Sequence, residues 1–528
     1  MNALDRSAAL RPHGSTSRLH ALIVCLAAAY NFSVMSPCTA AAPNPPQEPA
    51  DLLVETQVAT SHTVRIAGHD MTYKATAGTL VIRDQDGHPE ASFFYTAYTR
   101  PTSVVTERPV TFLFNGGPGS ASLWLHMGSF GPQRMVTTIP DATGGAPYLI
   151  VPNEETLLDR SDLVFIDAIG TGYSRALAGT TQEHFFSVDQ DLDAFARAIR
   201  RYIAKNGNGN APKFILGESY GATRAAGITR TLQSMGTELN GVILMSSILN
   251  TASYEPGLDQ GYVNFLPSLA AAAWHHHRAA TTQELAAFVQ DARVFAAGPY
   301  AQALAQGDSM DPDEMHRVAQ RLSEFIGLDA TDIIRHNLRI GTGYFRRTLL
   351  IGSGKVLGGL DSRVTGDSID AAGMPRAVDP AFAGISGAFI TAFENYVRKD
   401  LAYPSELDYR ADVEGLDHRW DWHHRAPSGR RLTTVDVALD LATAMQANPR
   451  LKIYSLNGYF DLSTPFFATE YDLAHMLLPR ALKKNVEFGY YAGGHMIYLD
   501  AAARLSLKRD LDRFYAAALG SGSNLDHH

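Results

Sequence analysis

Lys213-Phe-Ile-Leu-Gly-Glu-Ser-Tyr-Gly-Ala222 begins as an apolar, strand-like run and turns at Gly217-Glu218-Ser219-Tyr220-Gly221, where a helix-like stretch takes over. Gly-x-Ser-x-Gly in a strand–turn–helix setting has a mechanical meaning. The flanking glycines let the chain reverse tightly, so the serine oxygen stands exposed near a helix N-terminus. Ser219 is therefore the candidate nucleophile.

On either side of this segment, short β-rich apolar runs recur at Val110–Phe114, Leu163–Ile166, Val242–Met245, Lys452–Leu456 and Val486–Tyr491. Helical patterns lie between several of them. Ser187-Val-Asp-Gln190 reads as a capping box opening a helix with Leu192, Phe195, Ile199 and Tyr202 on one face. Strands alternating with helices predict an α/β fold, a mostly parallel sheet with helices on both faces. Upstream, polar and apolar residues alternate from Thr63 to Thr99, with Asp86-Gly87 suggesting a hairpin.

A serine hydroxyl needs a base, and the base an orienting carboxylate. In folds built on this elbow the order is Ser, Asp, His. Lys452-Ile-Tyr-Ser-Leu-Asn-Gly-Tyr-Phe-Asp461 is a strand whose end loop carries Asp461. Val486-Glu-Phe-Gly-Tyr-Tyr-Ala-Gly-Gly-His495 is a strand whose glycine loop delivers His495. Strand-end loops are where open α/β sheets build their sites. His475 and Asp500 are rival assignments. His475 falls in the helical run Ala468–Leu477 and reads as a surface residue. Val110-Thr-Phe-Leu-Phe-Asn-Gly-Gly-Pro-Gly-Ser120 supplies a glycine loop able to aim backbone N–H groups at an oxyanion, joined by the N–H that follows the nucleophile.

Four segments in this order, Asn115-Gly-Gly-Pro-Gly119, Gly217-Glu-Ser-Tyr-Gly221, Gly458-Tyr-Phe-Asp461 and Gly493-Gly-His-Met496, resemble the serine carboxypeptidase family, in a bacterial-type form. Asp162-Leu-Val-Phe-Ile-Asp-Ala-Ile-Gly-Thr-Gly-Tyr-Ser174 resembles the family segment between the first two motifs. The likeness covers about 105–250 and 446–505. It implies an α/β-hydrolase fold and a Ser219–Asp461–His495 triad. The N–H groups of Gly117 and Tyr220 would form the oxyanion hole. Asn115, the N–H of Gly116 and Glu218 would hold the terminal carboxylate of a peptide substrate, and Met496 would line the leaving-group pocket. Ser120 stands where eukaryotic members often have a cysteine. Leu113 stands where a tryptophan often precedes the asparagine. The implied activity is release of C-terminal residues through an acyl-enzyme, favoured at weakly acidic pH, without a cofactor. Other hydrolase-fold activities, such as an esterase, an acyltransferase or a proline-releasing aminopeptidase, remain the alternatives.

The rest of the chain sets the organisation. Arg6, Arg11 and Arg18 precede the apolar run 21–29, and Thr39-Ala-Ala-Ala42 follows, as in a secretory signal. The division expected is a signal peptide at 1–42, a Pro-rich linker at 43–62, the hairpin region and first part of the core at 63–250, a helical cap insertion at 251–445, the second part of the core at 446–518 and a flexible tail at 519–528. Both cysteines, Cys25 and Cys38, lie in the leader. Pro37 before Cys38 argues against lipid attachment. With no cysteine and no Asn-x-Ser/Thr site after residue 42, export to a bacterial periplasm or exterior is expected.

Composition narrows the classes further. With 54 acidic against 45 basic residues the formal charge is −9, and paired arginines are scattered, so no nucleic-acid partner is expected. Apolar runs are too short for stable membrane insertion. Gly352-Ser-Gly-Lys-Val-Leu-Gly358 has Leu349 and Val356 where a phosphate loop needs glycine and a hydroxyl residue. His275-His-His277 and His423-His424 lack a paired acidic residue at useful spacing, so no metal is expected.

Overall fold

The computed structural model describes residues 53–101, 108–141, 143–177, 179–255, 257–368 and 379–520. The leader, residues 43–52 of the linker and residues 521–528 of the tail lie outside these.

One large sheet organises the chain. Its main strands are β1 (Gln57–Ile66), β2 (His69–Arg83), β3 (Pro89–Thr99), β4 (Val110–Phe114), β5 (Asp162–Ile166), β6 (Lys213–Glu218), β7 (Gly241–Met245), β8 (Lys452–Gly458) and β9 (Val486–Tyr491). In space they run β1-β2-β3-β5-β4-β6-β7-β8-β9, with Arg175–Ala176 pairing to β3 as a tenth strand. From β5 through β9 every neighbour is parallel. The first three strands form an antiparallel ribbon joined to β5. β1 begins at Gln57, so the last residues of the expected 43–62 linker are strand. Ten register pairs from Gln57↔Gly78 to Ile66↔His69 hold it.

Period-two alternation sends neighbouring side chains of each strand to opposite faces. Phe112, Phe114, Ile215, Val242 and Leu244 enter one core, with α1 (Val188–Asn206), α2 (Tyr220–Ser234) and α6 (Ala438–Ala447). Leu113, Phe214, Leu216, Ile243 and Met245 enter the other, with α5 (Ser386–Lys399) and α8 (Ala501–Leu519). The Ser187 side chain caps α1 by accepting from the Gln190 N–H, and Gly207 closes that helix in the left-handed conformation.

A third core belongs to the inserted stretch. There α3 (Gln260–His275) and α4 (Pro312–Ile326) bury Leu266, Leu269, Leu322 and Phe325 together, and the cluster reaches Leu462 beside the Asp461 loop. The 251–445 stretch is not one body, however. α5 and α6 return to the two faces of the main sheet. A 3.6-residue period marks a helix but says nothing of which core receives it. No helix among the described residues is long and apolar enough to cross a membrane.

Candidate active site

β6 ends at Glu218, and Ser219 turns the chain with φ 62° and ψ −129°. Such a conformation costs a non-glycine residue roughly 1–3 kcal/mol and persists only where its surroundings hold it. Here the Ser219 N–H donates to Met245 O at 3.0 Å, and Ser219 O accepts from the Ala222 N–H at 2.9 Å. A Cβ on Gly217 would lie 1.9 Å from Gly221 O, so only glycine permits the crossing. The glycine loop after β4 rests directly on the elbow: a Cβ on Gly116 would lie 2.5 Å from Tyr220 N.

The Asp461 and His495 loops converge beside it. His495 Nδ1 lies 2.8 Å from Asp461 Oδ2 and 3.1 Å from Thr464 Oγ1. Asp461 Oδ1 accepts from the N–H groups of Ser463 (2.8 Å) and Thr464 (3.0 Å), while Oδ2 accepts the Thr464 hydroxyl at 2.7 Å. Ser246, one residue past the Met245 carbonyl that anchors Ser219, donates its hydroxyl to His495 O at 2.6 Å. The inserted stretch braces the same loop, because the His495 N–H donates to Leu360 O at 2.6 Å. Nδ1 is thus occupied, and among the described residues no protein group bonds Nε2. Burial pulls the His495 pKa down, but the charge and hydrogen bond of Asp461, with Glu218 beyond, leave it above the ordinary histidine value.

Three further N–H groups, those of Gly116, Gly117 and Tyr220, donate to no acceptor among the described residues. Beside them, Glu218 is almost fully buried. Its Oε2 accepts from Asn115 Nδ2 at 2.9 Å and from the Tyr498 hydroxyl at 2.8 Å. Burial pushes the Glu218 pKa up to about 7, against the opposing pull of His495, Tyr498 and Asn115. Asn115 is oriented in turn, since its Oδ1 accepts from the Leu125 N–H at 2.9 Å. Met496 is half-buried and lines a small crevice with Ile139, Leu360, Ala381 and Ile385.

The structure therefore brings Ser219, Asp461, His495, Gly117, Tyr220, Asn115, Gly116, Glu218 and Met496 around the parallel strands' carboxyl ends. The rivals lie elsewhere. His475 is exposed at the end of α7 (Phe466–Ala474), its Nδ1 on Tyr471 O. Asp500 caps α8 and pairs with Arg363. Gly352–Gly358 forms a short turn and strand, with no helix to receive a phosphate. His275 packs on Phe460, and His424 lies between Asp189 and Asp440. Among the described residues, three metal-capable side chains gather only at Asp84, Asp86 and His88 on an exposed turn.

Sequence reasoning passed over Thr464 and Tyr498. Thr464, three residues past Asp461, lies in the turn that the Asp461 carboxylate makes with the N–H groups of residues 463 and 464, a pattern that a search for Asx turns would have flagged. Tyr498, three residues past His495, has no local signal.

Residues 68–286 match the family model described as serine carboxypeptidase. Among solved structures the chain is similar to the prohormone-processing carboxypeptidase Kex1 of Saccharomyces cerevisiae, with 15% identity and TM-score 0.50, over 84% of this chain and 91% of that one. A proline iminopeptidase of Mycobacterium smegmatis aligns at 13% identity and TM-score 0.35, over 87% of this chain and 100% of that one. None of the curated proteins matches the sequence. The architecture is that of the α/β hydrolases.

Proposed function

From the match of residues 68–286 to the serine carboxypeptidase model and the geometry of the site, we propose that the protein is a serine carboxypeptidase in which Ser219 attacks the last peptide bond of a substrate with a free C-terminus. His495 takes the serine proton at Nε2 and returns it to the leaving amine, while Asp461 fixes the imidazole. The N–H groups of Gly117 and Tyr220 receive the charge developing on the carbonyl oxygen. Water then releases the acyl-enzyme by the reverse use of His495. No cofactor takes part.

Asn115, the N–H of Gly116 and Glu218 bind the terminal carboxylate. One observation carries this reading: a buried glutamic acid beside the nucleophile, hydrogen-bonded to an asparagine and with its pKa pushed up to about 7. Two carboxyls in contact share a proton, so Glu218 must enter the complex protonated. That condition holds below its pKa and fails as pH rises through it, which makes weakly acidic solution the favoured range. The protein acts outside the cytoplasm after removal of residues 1–42.

The test is product analysis on N-terminally blocked peptides. Successive single-residue losses from the C-terminus support the reading. Internal cuts, or hydrolysis of simple esters alone, contradict it.

A further inference from the structure

Arg224 is the largest charged side chain among the fully buried described residues, with its side chain 0% exposed. It lies on α2, five residues after the nucleophile and one helical turn after Tyr220. Its guanidinium donates from Nε to Asp191 Oδ2 at 2.8 Å and from Nη2 to Asp191 Oδ1 at 3.1 Å. Nη1 donates to Asn115 O at 2.7 Å. The plane is enclosed by rings, with its carbon 4.2 Å from the Phe195 centroid, 5.3 Å from Tyr220 and 5.4 Å from Phe114. Each of its three nitrogens thus has an acceptor, and the bidentate fork on Asp191 fixes its orientation.

The bond to Asn115 O has a consequence on the other side of the same amide. The carbonyl of Asn115 and the N–H of Gly116 belong to one peptide unit, which is absent from the cis bonds of the chain. In a trans amide the two groups point opposite ways. A charged donor on the carbonyl therefore sets where the Gly116 N–H points and polarises it as a donor. We infer that Arg224, locked by Asp191, is a positioning residue that aims the Gly116 N–H at the substrate's terminal carboxylate. The inference rests on the carboxylate-binding reading above and extends it to a residue that touches no substrate. Tyr220 contributes only a ring face to the same guanidinium, with no hydrogen bond to it.

The test compares a blocked dipeptide acid with its amide, together with the rate at which a fluorophosphonate labels Ser219. Arg224→Lys keeps the charge but cannot span Asp191 and Asn115 together. Arg224→Met combined with Asp191→Leu removes both buried charges, a change that folds more safely than orphaning one. In both variants KM for the acid should rise about tenfold or more, as for loss of a charge-assisted hydrogen bond. The amide's KM and the labelling rate should stay within about threefold. Equal losses on acid, amide and labelling would make Arg224 a fold element only and overturn the inference, as would failure of both variants to fold. An unchanged acid-to-amide ratio in folded variants would also overturn it. A wild-type enzyme indifferent to the free acid would remove the carboxylate site itself, and this inference with it.

Discussion

The Tyr498 hydroxyl donates to Glu218 Oε2 at 2.8 Å, the same oxygen that Asn115 Nδ2 reaches at 2.9 Å. Both protein donors fall on one oxygen, and no described residue donates to Oε1. The bond also ties the residue before the nucleophile to the loop that carries His495. A donor to a carboxylate favours its charged form, so Tyr498 restrains the upward shift that burial imposes on Glu218. Tyr498→Phe should raise the Glu218 pKa further and move the alkaline fall of kcat/KM on peptide acids to higher pH. Profiles of the two proteins on one dipeptide acid check this. A shift towards lower pH would contradict it.

Ser219→Ala and His495→Ala should each reduce kcat by about a thousandfold or more, because the residues act as a unit. Ser219→Ala also relieves no core contact, and the far-ultraviolet spectrum should be unchanged. Steady-state kinetics on folded protein are the measurement. Retention of more than about a hundredth of the activity would remove Ser219 as nucleophile.

Thr464 holds Asp461 through its backbone N–H and its hydroxyl, and its Oγ1 also bonds Ser246 O at 2.8 Å. Thr464→Val keeps the shape and the backbone bond but removes the hydroxyl. A fall in kcat of roughly 5–30-fold with little change in KM is expected, the size of one buried hydrogen bond. Wild-type kcat in this variant would show that Asp461 is oriented without it.

His424 offers a stability test away from the site. It is buried, with Nδ1 2.7 Å from Asp189 Oδ1 and Nε2 2.7 Å from Asp440 Oδ2, while Arg230 pairs with Asp440 and Asp436 lies nearby. Burial opposes the charge, but the two carboxylates hold its pKa up to about 9. A pKa raised on folding gives stabilisation that is complete below the unfolded value and lost as pH rises through the folded one. His424→Gln should therefore cost roughly 2–3 kcal/mol below about pH 6.5, the gap closing towards pH 9. Urea unfolding at pH 6 and pH 9 measures it. A gap that widens with pH would contradict the ionised cluster.

What the sequence revealed divides by range. The strands from Val110–Phe114 onward, the elbow and the two strand-end loops follow local pattern, and the expected site residues lie together around those loops. Longer partnerships were invisible. Nothing near Arg224 points to Asp191, 33 residues away, and nothing near Glu218 points to Tyr498, 280 residues away. The start of β1 was missed because Gln57–His62 is polar enough to read as linker, and its order comes from pairing with β2. α5 and α6 were assigned to the cap because a helix's period does not reveal which core it joins.

In the proposed mechanism a protonated Glu218 receives the substrate's free carboxylate. The most direct measurement is kcat/KM against pH for a blocked dipeptide acid and its amide, in the wild type and in Glu218→Gln. With the Glu218 pKa near 7, wild-type activity on the acid should fall as pH rises through neutrality, while the amide keeps its rate. In both, protonation of His495 sets the acid limb. Glu218→Gln, a neutral donor at every pH, should flatten the alkaline fall for the acid. Superimposable alkaline limbs for acid and amide, unchanged in Glu218→Gln, would contradict the claim and leave an α/β hydrolase with no carboxylate requirement.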